Sequence, residues 1–307
     1  MPSDYCARRR TFLKATCGIT AGLLAGGRTV TAASEAATMP QVRIGIHLVS
    51  RLVLGANPIW GYSYQGELMS KFMVNHFNDE NILKLLHQSE KAGINTFQTN
   101  FDKRFPNVWK RYRDEGGKMN LVILYHPAEV TVKEAARYKP IAIVHHGGVT
   151  DNLWKNGKSQ VVHDFIKEVK DVGVLAGVSA HRPDVIDKIT DDNWENDMFM
   201  TCCYVMSRSA EDLQKILGFK PIQTTFIPGD PERMCQSIRR TNKPCLAFKI
   251  LAGGWMAGNP KQTEQAFKYA FENIKPSDGV IVGMLPVFSD QATENAGYTI
   301  KYGALST

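Results

Sequence analysis

Short apolar runs alternate with helical patterns from Gln41 to the end of the chain, and this alternation limits the fold more than any other feature. It predicts eight strands, each followed by a helix, after an opening hairpin. Two strands joined through a helix lie side by side and parallel, so the pattern requires a parallel sheet. Eight such units favour a closed (β/α)8 TIM barrel over an open sheet, and residues 41–305 suit one domain of this kind.

Histidines end three neighbouring predicted strands, which run over residues 120–126, 140–146 and 174–181. The middle run is apolar and uncharged until it reaches His145 and His146, and two glycines follow them. In barrels of this class the chemistry lies at the carboxyl ends of the strands. Adjacent strands lie roughly 5 Å apart, so imidazoles at equal depth can converge.

We therefore predict that His126, His145 and His181 form a catalytic cluster and also supply three ligands for a divalent metal ion. Successive side chains of a strand alternate between its two faces, which places His146 on the face opposite His145. The alternative is that one or two of these histidines point outward or bond only to loops.

Two further residues complete the predicted catalytic set. Gln98 lies in the second barrel strand, and Lys249 follows the seventh among Phe248, Ile250 and Leu251. Apolar surroundings lower the pKa of a lysine and make it a base or a Schiff-base amine, whereas an ion pair is the ordinary alternative. We call the open end of the barrel, at the carboxyl ends of the strands, the mouth. Acid, base or anion contacts near the mouth are also expected from Asp102, Lys103, Asp151 and Arg208.

Aromatic residues follow several strand ends in predicted loops. Flat rings beside polar groups suit the C–H face of a sugar, while local packing of the loops is the alternative. The expected partner is therefore a small-molecule substrate of the carbohydrate class. The rings concerned are Trp60, Tyr62, Tyr64, Trp154 and Trp255.

The N-terminus carries an export pattern. Arg9 and Arg10 begin the sequence Arg-Arg-Thr-Phe-Leu-Lys, which matches the twin-arginine (Tat) motif, and a mildly apolar stretch over residues 15–27 follows. We interpret residues 1–36 as a Tat signal peptide and leader, and we expect a periplasmic or otherwise exported protein that is a partner of the Tat machinery. The apolar stretch is too short and too rich in glycine for a stable membrane span.

Much of the net charge of +7 belongs to this leader. Elsewhere no basic stripe is interleaved with aromatic residues, so we expect no nucleic-acid partner. Four cysteines lie outside the leader, and free, buried thiols are expected because Tat substrates fold before export from a reducing compartment. They are Cys202, Cys203, Cys235 and Cys245.

Several segments, in chain order, resemble the aldo-keto reductase superfamily. The segments that carry the likeness are residues 49–55, 92–99, 144–146, 176–179, 247–255 and 280–284. The resemblance implies a (β/α)8 barrel and a nicotinamide cofactor, NADP. The residues implied to bind the cofactor are Ser179, Phe248, Gly283, Glu294 and Asn295.

The catalytic residues of that family are mostly replaced in this chain. Gln98 stands where the family has its aspartate, Lys103 where it has its tyrosine, and Tyr125 or His126 where it has its lysine, so His145 alone matches. Hydride transfer to a carbonyl needs a proton donor, which the tyrosine would supply. We therefore predict an exported barrel enzyme that acts on a sugar or other polyhydroxy carbonyl compound by proton shift, elimination or hydrolysis. The alternatives are an oxidoreductase with tightly bound NAD(P) and a non-catalytic sugar-binding protein.

Overall fold

The structure, a computed structural model, describes residues 38–305. Eight parallel strands close into a barrel in which each strand pairs with the next along the chain and the last pairs with the first. The predicted (β/α)8 TIM barrel is confirmed. Its strands are β3 (Leu52–Gly55), β4 (Thr96–Asn100), β5 (Asn120–Tyr125), β6 (Ala142–His145), β7 (Leu175–Ala180), β8 (Met198–Cys202), β9 (Cys245–Phe248) and β10 (Gly279–Gly283).

Between residues 38 and 305, eleven α-helices surround the barrel. They are α1 (Glu67–His76), α2 (Asp79–Lys91), α3 (Phe105–Asp114), α4 (Val132–Ala136), α5 (Gly147–Lys155), α6 (Gln160–Asp171), α7 (Pro183–Asp191), α8 (Ala210–Leu217), α9 (Asp230–Arg240), α10 (Pro260–Asn273) and α11 (Gln291–Tyr302). A short 3₁₀ turn occupies Ala252–Gly254. Helix α1 ends at His76.

An antiparallel hairpin, β1 (Gln41–Ile44) and β2 (His47–Ser50), closes the amino-terminal end of the barrel. Ile44 and Val49 are fully buried in the same apolar cluster as Val53 and Val144 of the barrel strands. The hairpin therefore acts as a plug, and the opposite end of the barrel, where the strands terminate, is free to hold the chemistry.

Arg51, which is almost fully buried, joins the first barrel strand to the last part of the chain. Its backbone N–H donates to Pro40 O at 2.8 Å, while Nη1 donates to Gly303 O at 2.8 Å and Nε to Asp278 O at 2.8 Å. Nη2 also donates to Lys275 O at 3.1 Å, so each of the three guanidinium nitrogens donates a hydrogen bond, which makes the burial of a charged group tolerable.

The predicted signal peptide and leader, residues 1–36, lie outside the described residues. Within residues 38–305, no helix is both long enough and apolar enough to cross a membrane.

Candidate active site

Strand register determines which side chains reach the inside of the mouth. Val144 belongs to the apolar cluster inside the barrel, which we call the inner cluster and which also contains Val53, Val122 and Met200. His146 is two residues further along the chain, so its side chain lies on the same inner face as Val144. His126 stands in the same relation to Leu124, and His181 to Ser179, which pairs with the inner residue Met200. The rings of His126 and His146 are 5.2 Å apart, centre to centre.

His145 faces the other way, and the prediction that it lies in the mouth with His126 and His181 is wrong. Its ring packs against Phe165 of α6 and Tyr125, in the layer between barrel and helices. Nδ1 lies 2.8 Å from Thr150 Oγ1, whose hydroxyl donates to His146 O, so Nδ1 is the donor of this pair. His145 and His146 do lie on opposite faces, as predicted, but His146 points into the barrel and His145 points outward.

His126 and His146 present N–H groups to the mouth. The backbone N–H of Ala128 donates to His126 Nδ1, and that of Gly148 donates to His146 Nδ1, both at 3.2 Å. Because a backbone N–H only donates, each Nδ1 carries a lone pair, and the proton of each neutral ring is on Nε2. Burial, followed by the charges of neighbouring His126, His181 and Lys249, lowers the pKa of His146 to about 4, so this ring is neutral at pH 7.

His181 has the opposite tautomer. Its Nδ1 lies 2.9 Å from Asp151 Oδ2, and its backbone N–H also donates to that carboxylate, at 3.2 Å. The carboxylate accepts the Nδ1 proton and leaves Nε2 with a free lone pair. Burial lowers the pKa of His181, although the hydrogen bond to Asp151 acts against this effect. His181 is therefore a neutral base that a buried carboxylate holds in one orientation.

Helix α5 lies close to Ser179 and His181, at the end of the neighbouring strand, because its first residue is glycine. A Cβ atom on Gly147 would lie 2.9 Å from Ser179 Oγ and 3.1 Å from His181 Cε1. The absent side chain lets α5 come near enough for Asp151, one turn further on, to reach His181.

Lys249 brings a positive charge to the same mouth. Its Nζ lies 4.7 Å from the ring centres of both Tyr64 and Phe248. The pKa of Lys249 is raised: burial opposes the charge, but Cys202 and Tyr64 favour it. The lowered pKa expected from its apolar neighbours is therefore not found, and neither is an ion pair with any residue in the described part of the chain.

Gln98 and Asn100 lie on the barrel wall beside these groups. Gln98 is 7% exposed and pairs in register with Val122 of the inner cluster, so its amide faces inward. Asn100 donates to the hydroxyl of Tyr62, which stands half exposed at the rim. Amide and phenol groups of this kind bind hydroxyl or carbonyl oxygens.

Of the predicted sugar-binding aromatics, Tyr62 and Tyr64 lie near the mouth. Trp60 is buried and donates to Thr99 Oγ1, and Trp154, near the C-terminal end of α5, packs against Trp194. Trp255 lines a separate cavity. For Trp60 and Trp154 the alternative of local packing describes the structure better.

The residues implied to bind a nicotinamide each have contacts within the chain. The Lys249 ammonium covers a face of Phe248, and Gly283 lies so close to Pro58 that a Cβ atom would be 2.5 Å from its ring. Glu294 accepts a hydrogen bond from Ser289, and Asn295 is buried within α11. Ser179 is buried against Gly147. Nicotinamide binding by these positions stays a prediction.

The three predicted metal ligands, His126, His145 and His181, are likewise not brought together, because His145 points outward. Within residues 38–305, no group of three or more histidine, cysteine, aspartate or glutamate side chains is placed to hold a metal ion. All four cysteines of this region are free and buried.

A cavity of about 1050 Å³ lies elsewhere, on the outer side of β9. Its walls are mainly apolar and come from α9, α10 and the segment over residues 217–228. None of the histidines of the mouth lines it, so its size does not mark it as the catalytic site.

His146 is the site residue that the sequence prediction missed. The alternation of side chains along β6 gave a signal for it. Val144 and His146 share one face of the strand, and Ile143 and His145 share the other. Each face is apolar until it reaches a histidine, so the alternation does not show which histidine points into the barrel.

Comparison with known proteins supports the class of the fold. No family model matches the sequence, and no curated protein matches it. Among solved structures, the phospho-2-dehydro-3-deoxyheptonate aldolase of Thermotoga maritima is similar with a TM-score of 0.50 at 10% identity, over 86% of this chain and 72% of that one.

Aldo-keto reductases are also among the structural neighbours. The glycerol dehydrogenase of Gluconobacter oxydans gives a TM-score of 0.49 at 14% identity, over 87% of this chain and 97% of that one. The aldo-keto reductase of Bacillus halodurans gives 0.47 at 13% identity, over 89% and 98%. At such identities the likeness concerns the barrel fold alone.

Proposed function

We propose that the protein is an enzyme that moves a proton on a sugar or other polyhydroxy carbonyl compound, in an isomerisation or elimination. One observation carries the proposal: the hydrogen-bond acceptor of His181 shares a mouth with the N–H donors of His126 and His146 and with the Lys249 ammonium. A base beside oxyanion-stabilising donors is what removal of a proton next to a carbonyl requires.

In the proposed reaction, His181 Nε2 takes a proton from the carbon beside the substrate carbonyl. The C–H electron pair becomes the carbon–carbon double bond of an enediolate, and the carbonyl oxygen becomes negative. The imidazole N–H groups of His126 and His146 stabilise that oxygen, while Asp151 stabilises the imidazolium of His181. The hydroxyl proton of the carbon that lost its hydrogen passes to the former carbonyl oxygen, and His181 returns the abstracted proton to the former carbonyl carbon, which completes an isomerisation. In an elimination the hydroxyl group on the next carbon leaves instead, and it takes the proton from His181 to depart as water.

The test is exchange of substrate hydrogen with solvent deuterium. Incubation with a panel of aldoses, ketoses and sugar acids in D₂O should remove the proton signal of the carbon beside the carbonyl of at least one sugar, as followed by NMR. His181→Asn should slow the exchange by about 10²–10⁴-fold, the usual contribution of a general base. His87→Asn is the matched control, because His87 bonds Glu115 away from the mouth.

Exchange that persists in His181→Asn, or its absence with every sugar, would contradict the proposal. Sugar binding without exchange would favour a non-catalytic binding protein. A purified protein with the near-ultraviolet absorbance of a reduced nicotinamide would favour the oxidoreductase.

We also propose that the enzyme is exported by the twin-arginine route to the periplasm or beyond. The support is the motif that begins at Arg9 and Arg10. The double variant Arg9→Lys, Arg10→Lys should remain inside cells that export the wild type, as measured by fractionation. Equal export of both proteins would contradict this route.

A further inference from the structure

The Lys249 ammonium has no negative partner in the described part of the chain, and this distinguishes it from the arginines in the loops near it. Arginines in three loops at the same end of the barrel are already paired with carboxylates. The pairs are Arg104 with Asp102 at 3.8 Å, Arg182 with Asp184 at 2.5 Å and Arg208 with Asp230 at 2.5 Å. Lys249 has two aromatic rings instead. A cation held against aromatic faces keeps only part of the stabilisation that water would provide, so the site favours an anion.

The backbone supports a specific role for this side chain. Lys249 has φ of 61°, in the left-handed region that non-glycine residues seldom occupy, and nearby Ala252 has φ of 47°. Glycine would relieve the strain at position 249 but would remove the ammonium. Strain of this kind persists where the surrounding structure fixes it, and it is concentrated at binding and catalytic sites.

Lys249 is a single ammonium without a carboxylate partner in the described part of the chain, and this indicates a single negative charge on the ligand. Both carboxylate oxygens of Asp151 are engaged by His181, through its backbone N–H and its Nδ1. The ring of His146 is neutral at pH 7 because its pKa is about 4. One unpaired ammonium matches a carboxylate, whereas a phosphate monoester carries nearly two charges and is usually met by several donors.

We propose that Lys249 binds a carboxylate of the substrate, and that the enzyme therefore acts on sugar acids rather than neutral sugars. This inference rests on the proposed function, since it names the substrate class of the same mouth. The carboxylate would lie beside Tyr64 and Phe248, with the carbon that loses its proton near His181, whose ring lies 5.7 Å from that of Phe248.

The experiment compares the binding of three matched sugars by calorimetry at fixed ionic strength: D-galactose, D-galacturonate and D-galactose 6-phosphate. Galacturonate should bind at least 10-fold more tightly than galactose, a difference of about 1.4 kcal/mol. Lys249→Met should reduce this ratio to about 1, and Lys249→Arg should keep the preference. Lys261→Met is the control, because it removes an exposed positive charge from the start of α10, which follows β9 at the same end of the barrel.

Equal binding of the acid and the neutral sugar by wild type, or no binding of either, would overturn the inference even if the Met variant failed to fold. Tighter binding of the phosphate would overturn the assignment to a carboxylate. His181→Asn should still prefer galacturonate, because binding needs no base. If the wild type shows no preference for galacturonate but still catalyses exchange that depends on His181, this inference is rejected and the proposed function stands.

Discussion

Asp151 holds His181 from two directions, through the backbone N–H and through Nδ1. The first bond fixes the position of the strand end, and the second fixes the tautomer. Neither His126 nor His146 has such a partner; both accept a backbone N–H instead. Three chemically identical side chains thus have different hydrogen-bonding roles, and the difference is set by the atoms that contact Nδ1.

Asp151→Asn should lower kcat and shift its pH dependence. Asp151 raises the pKa of His181, while burial and Lys249 lower it. Wild-type activity requires neutral His181, so it should persist below pH 6.5 and fall as the pH drops through the lowered pKa. Without the carboxylate that pKa falls further, and the acidic limb should move to lower pH. We expect kcat to fall by about 10²–10⁴-fold as the tautomer preference is lost.

The pH–rate profiles of Asp151→Asn and wild type provide the measurement. Asp164→Asn, on the exposed surface of α6, is the control. A loss of kcat with an unmoved acidic limb would mean that Asp151 has a structural role only.

Helix α5 is the element that assembles the site. Its N-cap is His146, its first residue is Gly147, and its second turn carries Asp151. Two glycines at the start make this a poor helix by intrinsic propensity. That explains why the apolar spacing of the sequence does not reveal it.

Gly147→Ala should reduce activity more than stability. The new methyl group would press on Ser179 Oγ and on the His181 ring, displacing the base. Alanine is favoured over glycine in helices by about 0.5–1 kcal/mol, which offsets part of the strain. We expect kcat to fall at least about 10-fold, since small displacements of catalytic groups are costly. Activity assays and thermal unfolding would measure the two effects.

Gly297→Ala in α11 is the control. Apart from the backbone of α11 itself, no atom lies within 4 Å of the position that a Cβ atom would take there, so activity should be unchanged. Unchanged activity in Gly147→Ala would show that the close approach of α5 does not position His181.

At the scale of the whole molecule, buried neutral histidines make the fold sensitive to acid. Burial, with the charges of neighbouring His146 and His126, lowers the pKa of His145 from 6.5 to about 4. The unfolded chain therefore takes up a proton near pH 6.5, whereas the folded protein does so only near pH 4. As the pH falls through this window, the unfolded state is favoured, and the stabilisation present above pH 6.5 is lost.

His145→Leu should therefore unfold less readily in acid. Between pH 7 and pH 5, the free energy of unfolding of the wild type should fall by about 2 kcal/mol more than that of the variant. Urea titrations at the two pH values provide the measurement. Because His145 lies outside the mouth, kcat at pH 7.5 should stay within a few-fold of wild type. If the wild type and the variant lose equal stability between pH 7 and pH 5, or if the variant loses much of its activity, the placement of His145 is contradicted.

The barrel could be predicted from the sequence because alternating strands and helices leave few other arrangements. The mouth could be predicted only in part. His126, His181, Gln98 and Lys249 followed from their places at or near strand ends. The orientation of His145 against His146 could not, because β6 is buried on both faces and lacks the polar alternation that reveals the phase of a strand. The pairing of Asp151 with His181 depends on the approach of α5, which no local pattern encodes.

Arg51 touches both extremities of the described chain, through Pro40 O and Gly303 O. One residue thus spans the gap between them, at the end of the molecule away from the histidines. A short glycine-rich bridge could join these extremities, and a circular permutant could begin at a different strand–helix unit. The order of synthesis would change while the catalytic groups kept their neighbours.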